Sequence, residues 1–364
     1  MYAFEPSEEQ QMLIDVVKRF AENDVRPVAR DAEEGDDYSP DLIEKGWELG
    51  VLQASVPEEY GGFGDYSALT GVLAMEELAW GDMAAAMAVM TPSLFALPIL
   101  LAGNEDQKQS YLPPLVEAEW QPYTAALIEP HFDFDPGDLR TTAVQEGDTY
   151  VINGEKIYVP FAEGAEAFIV YASLDGQTQG FIVPAELEGI TIGERSKLLG
   201  INALPNYSVT FEGVRIPAGN RLGGSEGHDF APVITSARLG MAAIGLGVAK
   251  AAFEYSRDYA KEREVFGVKV AQKQAIAFML AEMATEIEAI RLLTWEAAWM
   301  VDNDHSEAFK QAYLAYTGAM DMAMMVTDRA VQILGGHGYI REYPVEMWMR
   351  NGRGIANLLG MAMI

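Results

Sequence analysis

Residues 330–348, AVQILGGHGYIREYPVEMW, hold paired glycines, polar groups and a helix stop, a composition suited to a wall that lets a cofactor approach the backbone. They lead into RNGRGIANLLGMAMI, 350–364, which contains two arginines and no acid, hydroxyl or thiol. Nothing in that stretch can accept a proton from a weakly acidic carbon, so it offers binding without acid–base chemistry. Upstream, Arg263 in REVFG presents an always-charged planar fork that fits phosphate oxygens. The same Arg beside Gly267 also reads as an ordinary helix C-terminus, and LGGHG as an ordinary helix stop. The glycine-rich VPEEYGGFGD lacks the Lys-Ser/Thr of a phosphate loop and reads as a plain loop.

Composition removes several other chemistries. Cysteine is absent, which excludes disulfides, thiol catalysis, Fe–S clusters and Cys-zinc sites. The four histidines (His131, His228, His305, His337) are scattered, so no metal site is expected. Lys+Arg number 25 against 55 Asp+Glu, a net charge of −30 that repels nucleic acid and anionic lipid. The opening MYAFEPSEEQQ is acidic where a signal peptide would be basic, and no uninterrupted apolar run reaches spanning length, so a cytoplasmic protein is expected.

The elements that must carry these residues fall into three blocks, 1–120, 121–228 and 229–364. In the first, Ser7 and Gln10 have capping-box spacing ahead of the stripe Met12, Leu13, Val16, Val17 and Phe20. Ser39 and Pro40 open a second helix, and SALTGVLAMEELAW and DQKQSYLPPLVEAEW read as two more. In the second, TYVINGEKIYV predicts a hairpin turning at Asn153-Gly154. AFIVYASL, TQGFIVP, GITIGE and YSVTFEGVRIP follow as strands bounded by Gly, Pro or Asn, making a compact β domain. The third block reads as three long helices apolar over more than one face, which bury against each other and another subunit. The first of them is rich in small residues that permit close helix approach, and Glu288 pairs with Arg291 on an exposed face of the second.

This order and six strings along it, VPEEYGG, NGEKI, VTFEGVRIP, REVFG, KQAIAFMLAEM and AVQILGGHGYIREYPVE, resemble the acyl-CoA dehydrogenase family of flavoenzymes over nearly the whole chain. The resemblance implies an α+β fold: a helical N-terminal domain, a middle β-barrel or sandwich domain and a C-terminal four-helix bundle. It also implies FAD shared at a subunit interface, the flavin ring held by one subunit and the ADP half by its neighbour. The chemistry implied is removal of an α-proton from an acyl-CoA thioester by a carboxylate while the β-hydrogen leaves to the flavin.

Two sets of matches then separate. Arg263 and Phe266, Gln274, and the turn Gln332, Gly335 and Gly336 match residues that grip a neighbour's ADP half. The ring-facing matches are lost. The family's small-residue Thr-Glu-Pro-Gly-Ala-Gly-Ser-Asp stretch appears as IEPHFDFD, 128–135, keeping Glu129, Pro130 and Asp135 but inserting His131, Phe132 and Phe134, which are expected to fill the pocket. The Trp-x-Thr/Ser platform aligns with Tyr158-Val159-Pro160, and Pro160 brings neither a hydroxyl nor an N–H. GINALPNYS, 200–208, puts Asn202, Leu204 and Asn206 where Arg, Ser and Thr are usual. The base positions hold Leu359 and, on the earlier helix before Arg238, Ala237; no Asp or Glu follows Glu346.

No catalytic residue is therefore expected. The expected role is the non-catalytic subunit of a heteromeric acyl-CoA dehydrogenase whose homologous partner brings the ring site and the base, an α2β2 complex with two FADs acting on bulky acyl-CoAs such as steroid side chains. The alternatives are a self-sufficient flavoenzyme with a relocated base such as Glu129, an eliminating relative that keeps its flavin, and a cofactor-free scaffold.

Overall fold

The computed structural model describes residues 5–117 and 119–364; residues 1–4, which contribute to the localisation reading, lie outside it. Seven helices come first: α1 (Glu8–Phe20), α2 (Ala29–Gly35), α3 (Pro40–Trp47), α4 (Ala68–Gly81), α5 (Met83–Val89), α6 (Ser93–Ala102) and α7 (Glu105–Glu117). The caps form as the local sequence dictates. Ser7 and Gln10 exchange both bonds of the capping box, and Ser39 accepts from Leu42 N with Pro40 in the first turn.

Seven strands follow: β1 (Tyr123–Ala126), β2 (Thr142–Glu146), β3 (Thr149–Pro160), β4 (Ala167–Leu174), β5 (Gln177–Pro184), β6 (Ile190–Arg195) and β7 (Asn206–Pro217). The sheet order is β1-β4-β2-β3-β7-β6, with β5 on β4, and the curled sheet encloses its own core of Tyr150, Phe168, Phe181 and Phe211. One expectation fails here. The hairpin turns at Gly147-Asp148, where Gly147 has φ +61, and β3 runs straight through Asn153-Gly154. That dipeptide is a bulge against β7 instead. A Cβ at Gly154 would collide with Thr141, and Asn153 Oδ1 accepts from Gly213 N at 2.7 Å, so tertiary neighbours fix the conformation that a turn would otherwise claim.

The C-terminal block contains α8 (Ala231–Glu262), a two-strand hairpin β8 (Glu264–Val265) and β9 (Val268–Lys269), α9 (Gln274–Asp302), α10 (Ala308–Leu334) and α11 (Val345–Gly354). By length and composition α8 could cross a bilayer, yet most of its apolar stretch is buried against other helices, which makes it a core helix. Its small residues set how closely α4 and α10 approach: a Cβ on Gly247 would strike the α4 backbone, and one on Gly245 would sit 3.3 Å from Ala319 O. Arg291 departs from expectation. It does pair with Glu288, but its Nε and Nη2 also hold Glu76 of α4 (3.0 and 2.9 Å), so it is a largely buried cross-link and not a surface pair.

Candidate functional site

The residues matched to a neighbour's nucleotide sit together at the C-terminal end of α8 and beside it. Arg263 caps α8, donating its N–H to Tyr259 O at 2.9 Å, and its guanidinium is exposed with no partner among the described residues. Phe266 and Gly267 form the two-residue tip of the β8–β9 hairpin with φ +55 and +79. Two positive φ values are what such a tip requires, and phenylalanine tolerates that region poorly. Its ring is nonetheless 94% exposed, with Lys273 Nζ 5.8 Å from the centroid. Gln274 begins α9 and Gln332 lies in the last turn of α10, both exposed. Gly335 (φ +60) ends α10, and a Cβ on it or on Gly336 would meet open space.

Sequence reading passed over the residue that draws these two groups together. Tyr259 Oη lies 2.8 Å from His337 Nδ1, and the His337 ring stacks on Tyr343 with centroids 4.8 Å apart. The glycine turn is thereby tied to the helix end that carries Arg263. The Gly335 N–H is spent on Gln332 O and Val331 O, but the Arg263 guanidinium and the two glutamine side-chain amides have no partner among the described residues, and donors with such room around them suit the phosphate oxygens of one half of a shared FAD.

The opposite half does not fit. Glu129 is 2% exposed. Its carboxylate accepts from Arg140 N (2.8 Å), Thr141 N (2.8 Å) and Lys156 Nζ (2.9 Å), with His131 Nε2 2.9 Å away. Burial would raise its pKa, but the adjacent Lys156 ammonium and the other donors hold it down at about 2. Glu129 is a structural anchor whose acceptor lone pairs are already taken. Around it the loop amides turn inward: Gly137 N donates to Asp135 Oδ1, Asp138 N to Asp135 O and His131 N to Glu129 O. On β3, Ile157 N donates to Ile128 O, and Phe161 N, just past the strand, to Pro205 O, each at 2.9 Å, while Pro160 has no N–H to give. Asn202 is taken by Glu33, through its N (2.8 Å) and Nδ2 (3.0 Å); Leu204 and Asn206 are buried. Few donors remain for the polar edge of a flavin.

Space remains where crowding was expected. A cleft of ≈ 690 Å³ runs past Ile128, Phe134, Ile157, Tyr158, Tyr316 and Leu359. Phe132, expected as filler, is fully exposed, while His131 and Phe134 pack inward with ring centroids 6.1 Å apart. Tyr158 also lines a second cleft of ≈ 420 Å³ beside Gly200 and Arg353.

The two base positions face different spaces: Leu359 lines the ≈ 690 Å³ cleft, and Ala237 does not. Ala237 and Gly360, the neighbour of Leu359, line one residual void of only ≈ 10 Å³ together with Met363. After Gly360 (φ +95) the chain inserts between α4, α6 and α8, and Met361–Ile364 are each no more than 4% exposed. Two glycines seat them: a Cβ on Gly71 of α4 would lie 2.7 Å from Ile364 Cβ, and one on Gly240 of α8 2.9 Å from Ala362 O. Ser236 Oγ donates to Ile364 O (2.6 Å) and accepts from Ile364 N (3.2 Å), and Tyr66 Oη donates to the same oxygen at 3.1 Å. Side chains and backbone thus fill the space beside Ala237, while Leu359 presents an apolar side chain to the large cleft.

Sequence models of three domains match the chain: "Acyl-CoA dehydrogenase, N-terminal domain" over residues 7–119, "middle domain" over 124–214 and "C-terminal domain" over 231–361. A short-chain-specific acyl-CoA dehydrogenase of Clostridium acetobutylicum is 36% identical, over 96% of this chain and 94% of that one. A caffeyl-CoA reductase–Etf complex subunit of Acetobacterium woodii is 35% identical, over 95% and 93%. Among solved structures, butyryl-CoA dehydrogenase from Megasphaera elsdenii superposes with a TM-score of 0.89 at 33% identity, covering 100% of this chain and 96% of that one.

Proposed function

Because the chain belongs to the acyl-CoA dehydrogenase family, whose members bind FAD, we propose that it is the non-catalytic subunit of a heteromeric member. Arg263, Phe266, Gln274 and the Gln332–Gly336 turn would hold the ADP half of an FAD whose ring rests on a homologous partner. When bound, FAD supplies the hydride acceptor; this chain's residues supply phosphate donors and orientation. The observation that carries the reading is that no free acid faces the cleft: Leu359 lines the ≈ 690 Å³ cleft with an apolar side chain, Ala237 faces a void of only ≈ 10 Å³, and the carboxylate among the cleft's lining residues, Glu129, is spent on its own loop and Lys156. A relocated base finds no support, because Glu129 is fully engaged. Assembly with unlike subunits has a parallel in the caffeyl-CoA reductase–Etf complex to which one relative belongs. The substrate class assigned to the complex, bulky acyl-CoAs such as steroid side chains, rests only on paired dehydrogenases of the family.

The test is flavin stoichiometry. Purified alone, the chain is expected to show no stoichiometric flavin absorbance; co-purified with a homologue that carries the base, it should give two FADs per four chains. Arg263→Ala should remove most of that flavin. A yellow, active preparation of the chain alone overturns the proposal, and an unchanged flavin content in Arg263→Ala supports a cofactor-free scaffold instead.

A further inference from the structure

Residues of α1, α4, α8 and α9 line a cleft of ≈ 520 Å³ that shares no residue with the two clefts at Tyr158 or with the nucleotide donors. Its size suits a small molecule. Two polar atoms in its walls, Glu77 Oε2 on α4 and Trp295 Nε1 on α9, are buried with no partner among the described residues. Glu77 is only 8% exposed, and its other oxygen, Oε1, accepts from Lys250 Nζ of α8. Buried polar atoms are rarely left empty, because each then costs its full desolvation penalty, and more for a charged group. The carboxylate oxygen needs a donor and the indole N–H an acceptor.

The other charged groups of the walls decide the sign of the ligand. Arg291 is spent on Glu76 (2.9 Å) and Glu288, and Arg257 on Asp258 (2.8 and 3.0 Å), which lies outside the lining. Glu254 Oε2 accepts from Trp80 Nε1 at 2.7 Å. Four carboxylates thus line the cleft against the charges of Lys250 and Arg291, an excess of acid that turns an anion away. A metal ion does not answer to the excess either, since no three acids among the described residues are placed to share one. Leu73, Phe253 and Ile287 supply apolar wall between the charged groups.

We propose that this cleft binds a small organic ammonium bearing a neutral carbonyl group. The ammonium donates to Glu77 Oε2, the carbonyl oxygen accepts from Trp295 Nε1, and the apolar body rests on Leu73, Phe253 and Ile287. The ligand answers both empty atoms at once and adds no negative charge. None of the proposed flavin contacts belongs to this site, so either reading can fail without the other.

Isothermal titration of the full chain at pH 6, where the amine is charged, would compare phenylalaninamide with three relatives. Hydrocinnamamide lacks the amine, phenethylamine lacks the carbonyl, and phenylalanine carries a carboxylate in place of the amide. Phenylalaninamide is expected to bind one per chain, about 10-fold tighter than each of the others, the scale of one charge-assisted hydrogen bond. Glu77→Gln should bring it down to the hydrocinnamamide level, and Trp295→Phe to the phenethylamine level with phenethylamine itself unchanged. Equal affinity for phenylalaninamide and hydrocinnamamide, phenylalanine binding as tightly as its amide, or an unaffected Glu77→Gln overturns the proposal, as does the absence of any binding heat. The ligand ratios of the unmodified chain need no variant, so a misfolded Glu77→Gln would not shield the idea.

Discussion

The Glu129 carboxylate exchanges its water shell for the two amides of Arg140 and Thr141, the Lys156 ammonium and the His131 ring, all inside a closed loop. Its folded pKa of about 2 lies below the unfolded 4.5, so the stabilisation it brings is present above about pH 4.5 and disappears as pH falls toward 2. Urea midpoints at pH 6 and pH 3 should fall steeply for the unmodified chain. Glu129→Gln should start lower and lose much less between the two. A catalytic role would have required this carboxylate to hold a pKa near neutrality and an open side toward the cleft; it has neither.

At the level of elements, Gly71 and Gly240 are the hosts of the final buried segment. Gly240→Val would drive a branched side chain into the Ala362 carbonyl, a clash that costs about 1–3 kcal/mol in a packed core. Thermal unfolding should drop accordingly, and limited proteolysis followed by mass spectrometry should find residues 358–364 newly cleavable. An unchanged cleavage pattern would mean that the segment is held by something else. These two glycines also mark what could and could not be read in advance. Caps at Ser7, Gln10, Ser39 and Pro40, the small residues of α8 and the strands from β4 to β7 were legible, because each follows from neighbours in sequence. Asn153-Gly154 was misread as a turn because Thr141 and β7, not its own neighbours, decide its geometry. The missing acid at Leu359 was legible as an absence. The burial of Met361–Ile364 was not, since it depends on room left by two distant helices. Tyr259–His337 escaped for the same reason: residues 78 apart meet only after α8 and α10 pack.

Across the whole molecule, α9 buries only Met283, Ile287, Thr294, Ala297 and Ala298, and leaves Phe278, one turn from Gln274, and Leu292, farther along, exposed. An apolar face of that kind, next to the open nucleotide donors, suits a surface that is completed by another subunit. In such a complex Leu359→Glu is expected to add no second active centre: turnover per FAD and FAD count should both match the parent complex in steady-state assays. The ring-facing backbone explains why. A carboxylate at position 359 would face the cleft, but Pro160 would still offer no N–H, and the amides of Ile157 and Phe161 would stay committed to Ile128 and Pro205. One restored acid therefore gains nothing until several backbone bonds are rearranged with it, and a chain in that position would depend on its neighbour for every turnover.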